Sequence, residues 1–209
     1  MVKKWVNNLS NTRVIALSFL IVILVGSTLL CFPFSSANKE WTPFINALFT
    51  ATSATCVTGL VVYDTFTHWS LFGQVVIILM IQIGGIGLMT IISMFAIFAK
   101  KKIGLHERTI LMQSSGNMNI SGIVKLVKRI VIGTCIFEGI GAIILSFSFI
   151  PRMGFWEGLY NGIFHSISAF CNAGFDIMGK YQPFSSFTGY ETNAVVSITI
   201  AMLIVIGGI

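Results

Sequence analysis

The sequence predicts an all-α integral membrane protein built from two parallel repeats, and three observations support this. Of its 209 residues, 55% are hydrophobic and only 10% are charged, whereas a soluble domain has about 25% charged residues. Residues 14–38 and 65–99 carry no charge, and residues 130–150 carry only Glu138. Each run exceeds the roughly 20 residues that cross a bilayer as a helix. The third observation is an internal repeat.

Residues 45–60 and 160–175 are two copies of one unit. At a constant offset of 115, six of the 16 aligned positions are identical: Asn46/Asn161, Phe49/Phe164, Ser53/Ser168, Ala54/Ala169, Cys56/Cys171 and Gly59/Gly174. Each copy is an apolar helical stretch that runs into a glycine-ended turn, and a long apolar segment containing IGGI follows it. Self-similarity of this kind indicates a repeated structural unit.

The first unit contains an outer helix, a short helix, a loop and an inner helix. Thr42 and Pro43 form a helix start, with a hydroxyl cap and proline at the first helical position. The helix from about residue 43 to 53 is too short to cross a bilayer. Residues 55–60 are rich in β-branched side chains and favour extended backbone, with Gly59 free to adopt dihedral angles denied to other residues.

The second unit repeats this order. Residues 130–150 form the outer helix, 156–169 the half-helix and 171–175 the loop, and an inner helix starts at 193. With spans at about 14–34, 71–99, 130–150 and from 193, ten of the 13 basic residues fall on one side of the membrane, in the N-terminus and the 100–129 region. Basic residues favour cytoplasmic loops, so the N-terminus is predicted to be cytoplasmic. The net charge of +6 therefore reflects topology and does not indicate nucleic-acid binding.

Both units start on the same side, so the repeats are parallel about an axis normal to the membrane, unlike inverted transporter repeats. Three regions follow: a first pore repeat at 1–99, a basic cytoplasmic linker at 100–129 and a second pore repeat at 130–209 with a truncated inner helix. The linker is either a solvated loop or a docking site for a regulatory partner. Two units supply half of a four-fold ring, so we expect an N-terminal half whose missing part completes a pseudo-four-fold pore.

The two loops have the chemistry of a cation filter. Backbone carbonyls can replace the water of a dehydrated cation without fixed charge, and half-helix C-termini add partial negative charge. The candidate cation-binding filter residues are Thr55, Cys56, Val57, Thr58, Gly59, Cys171, Asn172, Ala173 and Gly174. The carbonyls of Val57, Thr58, Asn172 and Ala173 are the first candidates for ion contact. The alternative is that the two glycines only close tight turns against neighbouring helices.

Glu138 is the one acidic residue inside a predicted span. Intramembrane carboxylates are candidate functional sites, so Glu138 is a candidate secondary ion contact, with a buried structural role as the alternative. Gln74 and Gln82 are expected to make packing hydrogen bonds. The glycines in and just after the first IGGI are expected to allow close helix approach, with a hinge as the alternative.

The sequence carries no enzyme signature, and no catalytic residue is predicted. The three histidines are scattered, and His106-Glu107 lacks the second histidine of a zinc motif. Gly139 and Gly141 lie in a span, so they do not form a phosphate loop. The classes left open are a channel for a monovalent cation, whether potassium or another, and a non-conducting membrane scaffold subunit.

The segments TATSATCVTGL and AFCNAGF, with the IGGIG that follows the first, resemble the Trk/Ktr/HKT family of potassium uptake proteins, most nearly its KtrB-type membrane subunits. The resemblance covers essentially the whole chain. It implies four repeats around one pore, each with one filter glycine, and Gly59 and Gly174 match the first two. It also implies potassium translocation in the cell membrane, sodium dependence, a homodimer and a cytosolic nucleotide-binding regulatory ring of the KtrA type. A Thr-Val-Gly-Tyr-Gly run is absent, so selectivity is expected to be looser than in potassium channels.

Overall fold

The structure is a computed structural model that describes residues 11–87, 90–91, 123–180 and 182–209. In this part of the chain the regular structure is helical, with one isolated antiparallel bridge between Ser36 and Trp69. The α-helices are α1 (Asn11–Cys31), α2 (Phe44–Thr55), α3 (Thr65–His68), α4 (Leu71–Ile86), α5 (Ile123–Met153), α6 (Phe155–Phe170) and α7 (Ala194–Gly207). Two 3-10 turns, Pro33–Ser35 and Thr188–Tyr190, lie in the connections.

The predicted order of elements is present in both units. Helices α1 and α5 are the outer helices, α2 and α6 the half-helices, and α4 and α7 the inner helices. Residues 12–31 and 125–153 are long and apolar enough to cross a membrane, and α4 and α7 are shorter apolar helices. Helix α2, with 12 residues, spans about 18 Å at 1.5 Å per residue. It is therefore too short to cross the hydrocarbon layer, as predicted.

The first inner helix differs from the prediction of one span over residues 71–99, for which a hinge at the glycines in and just after IGGI was the alternative. Helix α4 ends at Ile86, because Gly87 adopts φ +86° and ψ 129° and leaves the helical conformation. The N–H groups of Thr90 and Ile91 then donate to the Gly87 carbonyl. Glycine accepts a positive φ without a steric penalty, so this is where the helix breaks. The rest of the predicted span, residues 92–99, lies outside the described residues.

The second outer helix starts earlier than predicted. Helix α5 starts at Ile123, so the last residues of the predicted 100–129 linker, including Lys125 and Lys128, are helical. Lysine is a good helix former, and its long stem can carry the charge towards the membrane surface. Charge alone was therefore a poor marker of the helix boundary. The remainder of the linker, through residue 122, lies outside the described residues.

The start of α2 also differs from the prediction. Pro43 is the N-cap and makes no side-chain capping bond. The Thr42 hydroxyl instead lies 3.2 Å from Nε2 of His68. The inner helices do have side-chain caps, from Ser70 on α4 and Asn193 on α7. Thr42 was misassigned because a residue 26 positions away competes for its hydroxyl.

The larger apolar core joins the two units. It contains Leu30 of α1, Ala51 of α2 and Ile77 of α4, together with Phe164 of α6 and Phe175 of the second loop. A second core lies within the second unit, where α5, α6 and α7 pack together. Burying apolar side chains of both units in one cluster holds the two loops in a defined relationship.

Candidate ion filter

The two half-helices run into loops with the same backbone path. Val57 and Asn172 have φ angles of +58° and +57°, and Gly59 and Gly174 have φ angles of +73° and +70°. Each pair is separated by the repeat offset of 115. A positive φ is unusual for a β-branched residue such as valine. Such strain costs on the order of 1–3 kcal/mol and persists only where the surroundings enforce it, commonly at ligand-binding sites.

The backbone hydrogen bonds of the loops are also repeated. Each loop donates three N–H groups back to its own half-helix: Cys56 to Thr52 (2.8 Å), Val57 to Ala54 (3.4 Å), Thr58 to Ser53 (3.0 Å), Cys171 to Ile167 (2.9 Å), Asn172 to Ala169 (3.0 Å) and Ala173 to Ser168 (2.8 Å). Among the described residues, no group donates a hydrogen bond to the candidate carbonyls of Val57, Thr58, Asn172 or Ala173. Three N–H groups of each loop are therefore paired with its half-helix, whereas these four carbonyl oxygens accept no hydrogen bond from the described residues.

The two loops contact each other at their glycines. A Cβ atom on Gly59 would lie 2.7 Å from the carbonyl oxygen of Ala173 and 3.3 Å from Cα of Gly174. A Cβ atom on Gly174 would lie 3.5 Å from Cα of Gly59. Gly59 therefore has no room for a side chain, and tertiary packing brings together two segments that are far apart in the sequence.

The IGGI segments pack beneath the half-helices. A Cβ atom on Gly84 would overlap the carbonyl of Thr55, and one on Gly207 would overlap the carbonyl of Phe170. These carbonyls end α2 and α6, and Thr55 and Phe170 are again 115 residues apart. A Cβ atom on Gly85 would lie 2.5 Å from Sγ of Cys171 in the other unit. The prediction of close helix approach is confirmed for Gly84 and Gly85.

Comparison with known proteins places the chain in a family. Residues 4–209 match the family model TrkH, described as a cation transport protein. The chain belongs to the TrkH family. It is 42% identical over 209 residues to the potassium/sodium uptake protein NtpJ of Enterococcus hirae, covering 100% of this chain and 45% of that protein. The predicted resemblance is confirmed.

Two further relatives are Ktr proteins. The Ktr system potassium uptake protein B of Bacillus subtilis is 40% identical over 207 residues, covering 99% of this chain and 44% of the relative. Its namesake from Vibrio alginolyticus is 37% identical over 198 residues, covering 94% of this chain and 42% of the relative. The chain thus spans a little under half the length of the curated relatives it matches.

In this TrkH-family chain, side chains of the half-helices support the loops through hydrogen bonds. The Ser53 hydroxyl lies 2.8 Å from the Thr58 hydroxyl, and the matching Ser168 hydroxyl donates to the Phe175 carbonyl at 2.6 Å. The serine shared by the two copies therefore supports the loop in both units, although through different partners.

His165 is a loop-supporting residue that sequence reasoning missed. It is fully buried on α6, with Nδ1 2.8 Å from the Asn161 carbonyl. Its Nε2 accepts the N–H of Ile177 at 3.1 Å, so Nδ1 carries the proton of the neutral ring. The sequence feature that could have identified His165 is a polar ring on an apolar half-helix, at the position that matches Thr50 of the first unit.

Both glutamines of α4 make the packing hydrogen bonds expected of them, and the partners lie in the second unit. Oε1 of Gln74 accepts from the Tyr160 hydroxyl at 3.0 Å. Nε2 of Gln82 donates to Oε1 and Oε2 of Glu138 at 3.0 and 3.1 Å. The prediction of packing hydrogen bonds is confirmed, and these bonds cross the junction between the units.

Asp64 joins the connecting segments of the two units beyond the loops. Its carboxylate accepts from the N–H groups of Phe66 and Thr67 and, at 2.8 Å, from that of Phe184 in the second unit. Asp176 follows the second loop and lines a cavity of about 250 Å³. Burial raises the pKa of Asp176 and the nearby Asp64 adds to the rise, while hydrogen bonds from Met178 and Ser186 oppose it.

Proposed function

We propose that this chain contributes two filter loops to the pore-forming subunit of a potassium uptake system. Potassium passes down its electrochemical gradient and exchanges its water for backbone carbonyls in the loops. The observation that carries the proposal is the repeated loop geometry, with matched positive φ angles and N–H groups bonded back to the half-helix. This geometry leaves the carbonyls of Val57, Thr58, Asn172 and Ala173 available to a cation.

The two loops are proposed to form half of a pseudo-four-fold ring. The contact between Gly59 and Gly174 supports adjacent loops around one axis, and the half-helix C-termini would direct partial negative charge towards it. A ring of four needs two more loops. The curated relatives are more than twice as long as the part matched here, which leaves room for them.

Potassium is the proposed cargo, supported by relatives that are named potassium uptake proteins. Sodium is the proposed second ion, either as an activator or as a competing cargo. A relative named a potassium/sodium uptake protein favours this addition, and with it the alternative of a less selective monovalent cation channel. A non-conducting scaffold is the remaining alternative, and ion flux distinguishes it.

The proposed setting is the cell membrane, crossed several times, with a cytoplasmic N-terminus. The one-sided distribution of basic residues supports this orientation. As partners we propose a second copy of the subunit, the surrounding lipid bilayer and a cytosolic nucleotide-binding ring of the KtrA type. Two relatives named as uptake proteins of a Ktr system favour a subunit that works with other components.

Potassium uptake by transport-deficient cells that express the full-length protein tests the proposal. Wild type and Gly59→Ser are compared with and without sodium, at equal amounts of protein in the membrane. Gly154→Ser is the matched control, because Gly154 also has a positive φ, of +86°, but a Cβ atom there would meet nothing within 4 Å among the described residues. We expect only Gly59→Ser to change the preference between potassium and sodium. An unchanged preference would refute the filter assignment, and absence of any uptake would favour the scaffold.

A further inference from the structure

Glu138 lies at the junction between the two units. It belongs to α5, the outer helix of the second unit, and is 9% exposed. Both of its carboxylate oxygens accept hydrogen bonds from Gln82, which belongs to α4, the inner helix of the first unit. One side-chain pair therefore links helices from different repeats.

The same pair contacts the second filter loop. Sγ of Cys171 lies 3.9 Å from Oε1 of Gln82 and 3.9 Å from Oε1 of Glu138. Cys171 is buried and follows the last residue of α6, where its N–H is bonded to Ile167. Gly85, three residues after Gln82, leaves the space that the thiol occupies. The carboxylate is thus separated from the loop backbone by a single side chain.

A second bond fixes α5 against the half-helix. The Ser166 hydroxyl donates to the backbone carbonyl of Glu138 at 2.7 Å. The main chain of Glu138 is therefore held by α6 while its carboxylate is held by α4. Because α6 runs into the second loop and Gln82 and Gly85 of α4 contact Cys171, a residue bonded to both helices can transmit the position of one to the other.

The first loop has no such arrangement in the part of the chain that the structure describes. Cys56, which matches Cys171 in the repeat, is exposed, whereas Cys171 is buried. No side-chain hydrogen bond to the Cys56 thiol is found among the described residues. Because Cys171, and not Cys56, contacts Gln82 and Glu138 among the described residues, Cys56 serves as the reference thiol for the effect of this pair.

The hydrogen bonds between Gln82 and Glu138 require that only one of the two side chains is a carboxylate. A buried carboxylate is costly unless a donor satisfies it, and here the described donors are a neutral amide and a thiol. Two carboxylates in this space would repel each other. A reversed pair, with the amide on α5 and the carboxylate on α4, restores one acceptor facing one donor.

We propose that Glu138 is a positioning residue that, together with Gln82, holds Cys171 and thereby sets the ion preference of the second filter loop. The inference rests on the proposed filter function. It differs from direct ion binding by Glu138, because the pair acts through Cys171 and requires complementarity rather than a carboxylate at one position.

The transport test compares three variants of the full-length protein: Gln82→Glu, Glu138→Gln and the two combined. The readout is the ratio of potassium to sodium uptake, normalised to protein in the membrane. We expect Gln82→Glu to shift the ratio roughly tenfold, as for strongly coupled neighbours, and the reversed pair to return it to within about twofold. An unchanged ratio in Gln82→Glu, or no recovery in the reversed pair, would overturn the proposal. If Gln82→Glu fails to reach the membrane, Gln82→Ala takes its place, and an unchanged ratio in that variant would overturn the proposal.

A thiol-labelling test needs no transport, so it separates failure of this proposal from failure of the filter assignment. Alkylation of Cys171 and Cys56 is followed by site-resolved mass spectrometry in wild type and Gln82→Ala. Loss of the pair is expected to increase Cys171 labelling several-fold relative to Cys56, on the order expected from losing a buried partner. Equal relative labelling in the two proteins would show that the pair does not hold Cys171.

Discussion

A Cβ atom on Gly59 would lie 2.7 Å from the carbonyl oxygen of Ala173, a residue 114 positions later in the chain. A Cβ atom on Gly174, by contrast, would meet only Cα of Gly59 among the described residues, at the ordinary contact distance of 3.5 Å. Both glycines have positive φ, so any side chain is strained at either site. Only at Gly59 does it also press on a backbone oxygen proposed to contact the ion.

This asymmetry predicts different costs for two equivalent substitutions. Gly174→Ala should destabilise by about 1–2 kcal/mol through backbone strain, and Gly59→Ala by about 1–3 kcal/mol more through overpacking. Thermal unfolding of the purified full-length protein in detergent measures the difference, and potassium uptake should fall in the same order. A Gly59→Ala variant as stable as the wild type would argue against the contact between Gly59 and Ala173.

The IGGI glycines predict a second effect on stability. Gly84→Ala would place a methyl group against the last carbonyl of α2, and overpacking of this kind costs about 1–3 kcal/mol. Gly133→Ala is the control, because a Cβ atom on Gly133 would meet no described atom within 4 Å and alanine is the better helix former. Unfolding temperatures should fall for Gly84→Ala and stay level or rise for Gly133→Ala. A similar fall in both would contradict the packing of α4 on α2.

Replacement of His165 is predicted to lower the stability of the segment that follows the second loop. Replacing it with alanine removes the acceptor of the Ile177 N–H, and an unsatisfied buried donor costs about 1–3 kcal/mol. Thr50→Ala is the matched control, because that hydroxyl donates to the Asn46 carbonyl within its own helix. Thermal unfolding with and without potassium is the measurement. The anchoring role would be refuted if His165→Ala were no more destabilising than Thr50→Ala.

The partly buried carboxyl group of Asp176, on the proposed external side, leads us to expect that potassium uptake depends on external pH. Because burial raises its pKa, Asp176 takes up a proton at a higher pH than an exposed aspartate and then loses its attraction for cations. Uptake from limiting potassium should therefore fall as external pH is lowered, starting above the ordinary aspartate range. Asp176→Asn should reduce uptake at neutral pH and flatten this dependence. Glu191→Gln, at an exposed carboxylate, serves as the control and should keep the wild-type profile.

The sequence predicted the order of the helices and the loops because both depend on local patterns. The repeat located Gly59 and Gly174, and the need for an unusual backbone conformation at glycine was predicted from Gly59. The matching conformation of Val57 and Asn172 was not predicted, since the repeat aligns these positions without revealing their backbone angles. The early start of α5 was also missed, and the break at Gly87 was covered only by the alternative of a hinge, because several backbone conformations satisfy the same apolar composition.

Composition, apolar run lengths and the repeat determined by themselves that this is a helical membrane protein with two equivalent half-helix and loop units. These features follow from the hydrophobicity of continuous segments and from the match between the two repeated segments, and both can be read directly from the sequence. Tertiary structure alone decided that Gly59 faces Ala173, that Glu138 is held by Gln82 and that His165 supports Ile177. Each of these contacts joins residues from different segments, and their partners are selected by the packing of whole helices, which no local pattern specifies.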